Sequence, residues 1–402
     1  MVPDRVRRTR HRTGRSYTPA MPAPSTGFVP PPYPQDRLAS LKATADALPG
    51  GVVDASIGTP IDPMPEVAAQ ALIAATRAAT GYPQSIGSPD YREAAAAWID
   101  RRFGVAVTPA EVIACIGTKE LVASLPHHLA LRDPSRDTVL YPAVSYPTYA
   151  MGATLAGLRA VPVPVRDDWH LDLDAVDAAD AARALLLWLN DPANPTGACA
   201  TPSEMVANVE WARSRGVVVA SDECYAEFTY AASGEPTAPV TGLFAGLDGV
   251  LAVHSLSKRS NLAGLRAGFV AGDPELVQYL GEVRKHAGFM VPAPVQAAGA
   301  AALGDDRHVE EQRVRYAARR ARLTPVLAEH GFRSAGGPST FYLWLASDRG
   351  EDGWEMAARL AGTAGLLAAP GDLYGPAGAA NVRIALSLRD DDIETVVARL
   401  TT

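Results

Sequence analysis

The chain has 402 residues, of which 48% are hydrophobic and 20% are charged, and its formal net charge is −7. This length allows two packed domains with a large core. The absence of a basic domain argues against nucleic-acid binding, and no apolar run is long enough to span a bilayer. Its three cysteines, Cys115, Cys199 and Cys224, lack disulfide or metal-ligand spacing, which favours a reducing, cytoplasmic compartment.

The first 25 residues differ in composition from the rest of the chain. Six arginines from Arg5 to Arg15 accompany a single acidic residue, Asp4, and little apolar surface. This composition is typical of disordered segments. We therefore predict a disordered basic tail over residues 1–25, or an actual start at Met21. The proline-rich stretch between Pro22 and Pro34 is expected to lead into the folded part in an extended conformation.

From about residue 71, short apolar runs alternate with amphipathic stretches. Strands are predicted at residues 112–116, 137–141, 160–165, 184–189, 217–221, 250–254 and 267–271. Helices are predicted from residue 118, from about residue 146 and over residues 203–215. This alternation predicts an α/β fold with a mainly parallel, seven-stranded type of sheet and helices on both faces. We assign residues 71–308 to this large domain.

The C-terminal part of the chain has a different pattern. It predicts one long helix over residues 309–330, strands at 340–346 and 381–386, and helices near 352–365 and 390–400. Residues 309–402, together with an N-terminal arm over residues 26–70, are expected to form a smaller α+β domain built from both chain ends.

Polar side chains follow four of the predicted strands. Gly117 and Thr118 follow the first, Asn194 follows another, Asp222 lies after a third, and Lys258 comes shortly after a fourth. In open α/β sheets, ligands bind beyond the carboxyl ends of the strands. We therefore expect these residues to meet in one crevice.

Several of these residues are suited to binding a phosphate group. A glycine that opens a helix after a strand exposes backbone N–H groups, and hydroxyls and an arginine can complete an anion site. The candidates are Gly117, Thr118, Lys119, Ser255, Ser257 and Arg266. Neither a Walker A pattern nor G-x-G-x-x-G is present, which argues against a nucleotide loop. Taken alone, Gly117 and Thr118 are more typical of an ordinary helix start than of an anion site.

Lys258 and Asp222 suggest a cofactor that reacts with an amine. A lysine that forms a Schiff base must be neutral part of the time, and both burial after a strand and the neighbouring Arg259 would lower its pKa. A buried carboxylate such as Asp222 can hold a proton on a pyridine nitrogen. Without the lysine, Asp222 and Glu223 would read as a helix-capping pair.

The remaining candidates complete a match to pyridoxal 5′-phosphate (PLP). Tyr225 and Asn194 can donate hydrogen bonds to a ring oxygen, and Tyr146 can stack on the ring or else pack beneath the sheet. Arg383 is a charged residue in an apolar strand, which makes it a candidate for binding a substrate carboxylate. The adjacent His127 and His128 lack further spaced ligands, so no metal is predicted.

Together these motifs resemble the class I/II, fold-type I family of PLP-dependent aminotransferases, from about Pro30 to the end of the chain. The resemblance implies that Lys258 binds the cofactor covalently, that Asp222 pairs with its pyridinium nitrogen, and that Arg383 binds the substrate α-carboxylate with help from the Gly58 backbone. It also implies that Tyr82 reaches the cofactor of a neighbouring subunit, and hence a homodimer with shared active sites.

Within that family, the chain is most similar to actinobacterial-type N-succinyldiaminopimelate aminotransferases, in residues 254–264, 284–288, 291–296 and 369–376. This implies glutamate as amino donor, 2-oxoglutarate as its product, and N-succinyl-2-amino-6-oxopimelate as acceptor in lysine and diaminopimelate biosynthesis. Candidates for binding the succinyl end are Arg37, Lys42, Arg259, Lys285 and Arg389.

Two departures from the family pattern leave other reactions open. Gln84-Ser85-Ile86 and Tyr91 differ from the expected residues and are predicted to lie near the rim of the active site. The alternatives are an aminotransferase with an aspartate, aromatic or secondary-metabolite substrate, and a PLP-dependent β-lyase or decarboxylase on the same fold. A PLP-binding module without catalytic activity is a third, which the complete set of catalytic groups argues against.

Overall fold

The computed structural model describes residues 27–78 and 81–401, so the tail predicted over residues 1–25 lies outside the described part. The helices, in chain order, are α1 (Ala39–Asp46), α2 (Glu66–Thr76), α3 (Pro89–Phe103), α4 (Thr118–Arg132), α5 (Thr148–Leu155), α6 (Ala178–Arg183), α7 (Pro202–Arg213), α8 (Leu256–Arg259), α9 (Pro274–Ala287), α10 (Ala293–Leu303), α11 (Arg307–Glu329), α12 (Gly353–Ala364) and α13 (Asp390–Thr401). The strands are β1 (Val53–Asp54), β2 (Val112–Cys115), β3 (Thr138–Pro142), β4 (Arg159–Val163), β5 (Ala184–Asn190), β6 (Val218–Asp222), β7 (Val250–Ser255), β8 (Gly268–Gly272), β9 (Phe332–Ser334), β10 (Tyr342–Ser347), β11 (Leu366–Leu367), β12 (Ala369–Pro370) and β13 (Asn381–Ala385).

Strands β2 to β8 form a seven-stranded sheet in the order β2-β8-β7-β6-β5-β3-β4. Neighbouring strands from β4 to β7 are parallel, whereas β8 runs antiparallel to both β7 and β2. Two reversals restore the original direction, so β2 points the same way as β5, β6 and β7. The predicted α/β fold with a mainly parallel sheet is confirmed, and the carboxyl ends of these four strands face one edge.

The apolar run of β5 is explained by helices on both faces of the sheet. All seven residues of β5 are buried. Leu187 and Leu189 pack in a core that includes α3, α7 and α10, while Leu186 and Trp188 pack in a second core that includes α4, α5 and α9. Successive strand residues point to opposite faces, so a strand covered on both sides is apolar throughout.

A second sheet is built from the C-terminal part of the chain. Its four strands lie in the antiparallel order β12-β13-β10-β9, and β1 pairs separately with β11. Its core joins Leu38 and Leu41 near the start of the described chain to Leu323, Val382 and Leu400 near its end. Both chain ends thus share one core, while the exact domain boundaries at residues 70 and 308 remain a prediction. Within the described residues, no helix combines the length and apolarity needed to cross a membrane.

Candidate active site

A cavity of about 580 Å³ lies at the shared carboxyl edge of the large sheet, against residues of the smaller one. Asp222 and Ser255 are the last residues of β6 and β7, and Asn194 and Thr118 follow β5 and β2. The structure therefore brings together residues that are far apart in sequence. The sequence-derived candidates that line the cavity are Gly58, Thr118, Lys119, Tyr146, Asn194, Asp222, Tyr225, Ser255, Ser257, Lys258, Arg266 and Arg383.

One end of the cavity has the features of a phosphate cradle. Gly117 caps α4 with a φ of 69°, which favours glycine, and a Cβ there would lie 2.2 Å from the Arg266 guanidinium and displace it. Arg266 itself has a left-handed φ of 57°, a strained conformation for a non-glycine residue that is typical of functional sites. Ser257 and Ser255 add hydroxyls beside it. These groups converge with the N–H groups that open the 15-residue helix α4, as an anion site requires.

Lys258 lies in α8, directly after β7, and its Nζ donates a hydrogen bond to the carbonyl oxygen of Gly58. Burial lowers the pKa of the Lys258 amine, and the charges of Arg383 and Arg266 lower it further, although Tyr342 and Cys224 act in the opposite direction. A lowered pKa increases the neutral fraction of the amine, which is the form that acts as a nucleophile or a base.

Asp222 is a buried carboxylate at the end of β6. Its Oδ2 accepts a hydrogen bond of 2.7 Å from the Tyr149 hydroxyl, and its Oδ1 accepts one of 3.2 Å from the Cys224 backbone N–H. Burial raises the pKa of Asp222, and among residues 27–78 and 81–401 no basic group forms an ion pair with it. A buried charge without a partner is costly, so the residues fit a ligand with a protonated ring nitrogen, as PLP has.

The candidates for contact with a ring oxygen lie on the same wall. The Asn194 side-chain oxygen accepts a hydrogen bond of 2.9 Å from Arg383. The NH₂ group of Asn194 therefore points away from Arg383. The Tyr225 hydroxyl lies 2.7 Å from the Tyr342 hydroxyl. Tyr146 lines the cavity and meets Tyr149 edge-on at 5.9 Å. Whether Tyr146 stacks on a cofactor ring remains a prediction.

Arg383 is fixed in the wall of the cavity and is only 4% exposed. Its Nη1 donates to Asn194 and its Nη2 donates 2.6 Å to the carbonyl of Ser56, while its Nε has no hydrogen-bond partner within the described residues. The rings of Tyr342 and Tyr374 flank the guanidinium at 4.1 and 4.8 Å. In the described part of the chain no carboxylate pairs with it. Such a buried cation suits a carboxylate ligand.

Other candidates lie outside the cavity of their own chain. Tyr82 is 98% exposed and does not line it, so its contact with a neighbouring subunit remains a prediction. Arg259 is buried and paired with Glu227 and Asp306. The other candidates proposed for the succinyl end are absent from the cavity wall as well: Arg37, Lys42, Lys285 and Arg389.

The predicted rim position of Tyr91 is wrong. Tyr91 lies on the buried face of α3, and its hydroxyl donates a hydrogen bond of 3.0 Å to the carbonyl of Gly268. Its ring packs edge-on against Phe269 at 6.5 Å. Gln84, Ser85 and Ile86 do not line the cavity either. Tyr91 therefore affects the packing of α3 rather than the wall of the site.

Four tyrosines in the wall were not identified from the sequence: Tyr33, Tyr149, Tyr342 and Tyr374. Tyr149 follows the recognised Tyr146 by three residues, but only its hydrogen bond shows that it serves Asp222. Tyr342 lies in an ordinary apolar strand. Its proximity to Arg383 depends on the register between β10 and β13, which no local pattern indicates.

The fold and the cavity together define a class of enzyme. Residues 51–400 match the family described as Aminotransferase class I and II. The chain belongs to this family and is a PLP-dependent aminotransferase.

Similar proteins span nearly the whole chain. A probable aminotransferase of Mycobacterium tuberculosis is 48% identical over 94% of this chain and 88% of its own length. The 4-dedimethylamino-4-oxo-anhydrotetracycline transaminase OxyQ of Streptomyces rimosus is 46% identical over 92% of this chain and 99% of its own. A solved structure of a probable N-succinyldiaminopimelate aminotransferase of Thermus thermophilus has a TM-score of 0.81 at 32% identity, covering 90% of this chain and 98% of that one.

Proposed function

We propose that the protein transfers the amino group of glutamate to N-succinyl-2-amino-6-oxopimelate, in the biosynthesis of diaminopimelate and lysine. The observation that carries the proposal is the buried Arg383 guanidinium, which shares a cavity with Lys258 and has no carboxylate partner within the described residues. Both the donor and this acceptor present an α-carboxylate to such a cation. The similarity to the Thermus protein supports this choice of acceptor.

The side chains of the cavity suit the individual tasks of the reaction. When bound, PLP supplies a reactive aldehyde and a ring that accepts electrons. The phosphate would be held by Arg266 and the start of α4, and the ring nitrogen by Asp222. Arg383 orients the amino acid by its carboxylate, so that its Cα–H bond faces the Lys258 amine, and that amine acts as the base. Glutamate would thus leave as 2-oxoglutarate, and its amino group would stay with the cofactor until the acceptor binds.

Lys119 is the cation that remains for the distal end of the acceptor. It lines the cavity, and its ammonium donates a hydrogen bond of 2.9 Å to the Tyr33 hydroxyl and lies 4.8 Å from the centre of that ring. Notably, Lys119 was first predicted to bind the cofactor. Because its ammonium is directed towards Tyr33, we assign it instead to the succinyl carboxylate. The other cations among the described residues of the wall, Lys258, Arg266 and Arg383, have the tasks given above.

The proposal can be tested in two stages. Glutamate alone should convert the cofactor absorbance of the enzyme and release one equivalent of 2-oxoglutarate. Release of CO₂ or a thiol from an amino acid, without 2-oxoglutarate, would instead support a decarboxylase or β-lyase. Next, kcat/KM is compared for succinylated and unsuccinylated acceptors, and for oxaloacetate and an aromatic keto acid. An enzyme that prefers either of the last two contradicts the proposed acceptor.

A matched variant tests the distal contact separately. Lys119→Met should lower kcat/KM for the succinylated acceptor by roughly tenfold or more, since a charge-assisted hydrogen bond contributes about 1.5–3 kcal/mol. The half-reaction with glutamate, whose shorter side chain does not need this contact, should change much less. Equal losses for both substrates would place Lys119 on the cofactor, as first predicted.

A second candidate is amination of a ring ketone in secondary metabolism. It is favoured by the similarity to OxyQ, whose name specifies a 4-oxo-anhydrotetracycline substrate and whose whole length is nearly covered. Such an acceptor lacks the aliphatic chain and the distal carboxylate. Turnover of a tetracycline-type ketone with glutamate, unaffected by Lys119→Met, would therefore favour this candidate over the first.

We also propose that the active enzyme is a homodimer in which Tyr82 reaches the other subunit's cavity. The 98% exposure of this aromatic side chain, and the exposed Phe28, Val29 and Ile73 on the same N-terminal part of the chain, support the proposal. Light scattering measures the mass in solution, and Tyr82→Phe should weaken cofactor binding without changing that mass. A fully active monomer contradicts both statements.

A further inference from the structure

Tyr342 touches three groups of the candidate site, although no sequence motif identified it. It begins β10 and is only 2% exposed. Its hydroxyl lies 2.7 Å from that of Tyr225, and its ring lies 4.1 Å from the Arg383 guanidinium carbon. A Cβ added to Gly58 would lie 1.9 Å from the Tyr342 hydroxyl. Tyr342 therefore lies between three groups of the site. They are Gly58, whose carbonyl binds the Lys258 amine, the Tyr225 hydroxyl, and the Arg383 guanidinium.

The position of Tyr342 is fixed by its surroundings. Tyr342 pairs with Ala385, and Trp344 pairs with Arg383, so Tyr342 and Arg383 are diagonal neighbours on one face of the sheet. The preceding Thr340 has a left-handed φ of 63°, and its hydroxyl accepts a hydrogen bond of 3.1 Å from the Tyr342 N–H. A strained residue of this kind persists only where its neighbours determine its conformation.

A partly buried arginine supports the same turn. Arg320 donates hydrogen bonds of 2.9 and 3.0 Å to the carbonyls of Thr340 and Tyr342. The backbone that carries the Tyr342 ring is thus anchored at both its N–H and its carbonyl. This arrangement suits a side chain whose orientation matters.

The contact between the two hydroxyls decides what Tyr225 can do. A tyrosine hydroxyl has one proton to donate. If Tyr225 donates to Tyr342, no proton remains for a ligand in the cavity. If Tyr342 is the donor, the Tyr225 proton is free to reach a ring oxygen, and a chain of two hydrogen bonds strengthens each of them. No other side chain of the described residues donates to the Tyr225 oxygen.

We propose that Tyr342 is a positioning residue with two separable roles: its hydroxyl directs the Tyr225 proton towards the ring oxygen of PLP, and its ring holds the Arg383 guanidinium in place. The proposal rests on the PLP site described above. It does not depend on which acceptor the enzyme uses, so its test needs no acceptor.

The role of the hydroxyl is tested by Tyr342→Phe, which keeps the ring. Without the Tyr342 donor, Tyr225 donates more weakly to the negatively charged ring oxygen, and the protonated form of the bound cofactor is favoured. The midpoint of the pH titration of the visible cofactor absorbance should therefore rise by about half a pH unit. The dissociation constant of 2-oxoglutarate, which reports on Arg383, should stay within about twofold because the ring remains.

Two controls make this result specific. Tyr374→Phe removes a buried hydroxyl that has no partner in the described residues and keeps the other ring beside Arg383, so it should not move the midpoint. In a Tyr225→Phe background, Tyr342→Phe should cause no further shift. An unchanged midpoint in the single Tyr342→Phe variant overturns the role of the hydroxyl. If Tyr342→Phe shifts the midpoint equally in the wild type and in Tyr225→Phe, the Tyr342 hydroxyl does not act through Tyr225, and the proposed role is overturned as well.

The role of the ring is tested by Tyr342→Leu. Loss of the cation–π contact should weaken 2-oxoglutarate binding about fivefold relative to Tyr342→Phe. Tyr342→Met, a flexible side chain without a ring, replaces it if the Leu variant does not fold. If the Leu or Met variant binds 2-oxoglutarate with the same dissociation constant as Tyr342→Phe, this second role is overturned.

Discussion

Arg383→Ala provides the sharpest test of the carboxylate clamp. The wild-type side chain donates to two neutral acceptors, Asn194 Oδ1 and the Ser56 carbonyl, and pairs with no carboxylate within residues 27–78 and 81–401. Its removal therefore leaves no buried anion behind, and Asn194 lines a cavity of about 580 Å³ that water can enter. We expect the variant to fold.

The expected loss concerns the substrate. A guanidinium that binds a carboxylate through charge-assisted hydrogen bonds contributes about 3 kcal/mol, which corresponds to about a hundredfold in affinity. Arg383→Ala should thus raise the glutamate concentration needed for half-maximal rate in the half-reaction by about that factor. The dissociation constant of PLP should change much less, because the phosphate cradle is built from other residues around Arg266.

The assay is single-turnover spectroscopy with increasing glutamate, together with a PLP titration of the apoenzyme. Arg383→Lys, which keeps the charge but not the planar fork, should fall between the wild type and Arg383→Ala. Arg389→Ala is a matched control, because this arginine does not line the cavity. An unchanged glutamate dependence in Arg383→Ala would refute the assignment, and so would a loss confined to PLP affinity.

Three further predictions concern other parts of the site. Lys258→Ala should abolish covalent attachment of the cofactor, seen by borohydride reduction and mass spectrometry, and lower turnover by orders of magnitude; normal activity would exclude Lys258 as the attachment point. Gly58→Ala should lower kcat strongly, because the added Cβ would meet the Tyr342 hydroxyl at 1.9 Å. The double variant Gly58→Ala/Tyr342→Phe should regain part of the lost kcat. If it regains none, the steric explanation is contradicted. Burial raises the pKa of Asp222 in the apoenzyme, so the apoenzyme loses stability as the pH rises through the raised pKa. The stabilisation by PLP, measured by calorimetry, should grow over the same pH range. In Asp222→Asn this growth should be absent.

The large sheet could be predicted almost completely from the sequence. Its seven predicted strands differ from the observed ones by no more than two residues at either end, because a strand buried on both faces leaves a continuous apolar run such as that of β5. The antiparallel direction of β8 was not indicated, since a run of apolar residues carries no information on the orientation of a strand. β9 is only three residues long, too short to show a pattern.

The candidate site was predictable where chemistry and strand ends coincide, as at Lys258 and Asp222. It was not predictable where a role depends on contacts between distant strands. Tyr342 looks like any aromatic residue of a buried strand until the β10–β13 register places it beside Arg383. The prediction for Tyr91 failed for the opposite reason. An unusual residue near a motif suggested a role in the site, but Tyr91 lies on the face of α3 that packs in the core.

The hydrogen bond from Arg383 to Ser56 joins residues 327 positions apart, and it has a consequence for how the enzyme becomes functional. The residues proposed to hold the phosphate and the ring lie between residues 117 and 266, whereas the proposed clamp joins β13, near the end of the chain, to Ser56, just after β1. During synthesis on the ribosome, these candidate cofactor-binding residues therefore emerge well before Arg383. A chain that ended before β13 would keep all of them, yet would lack both the guanidinium proposed to bind the substrate and the strand that carries it.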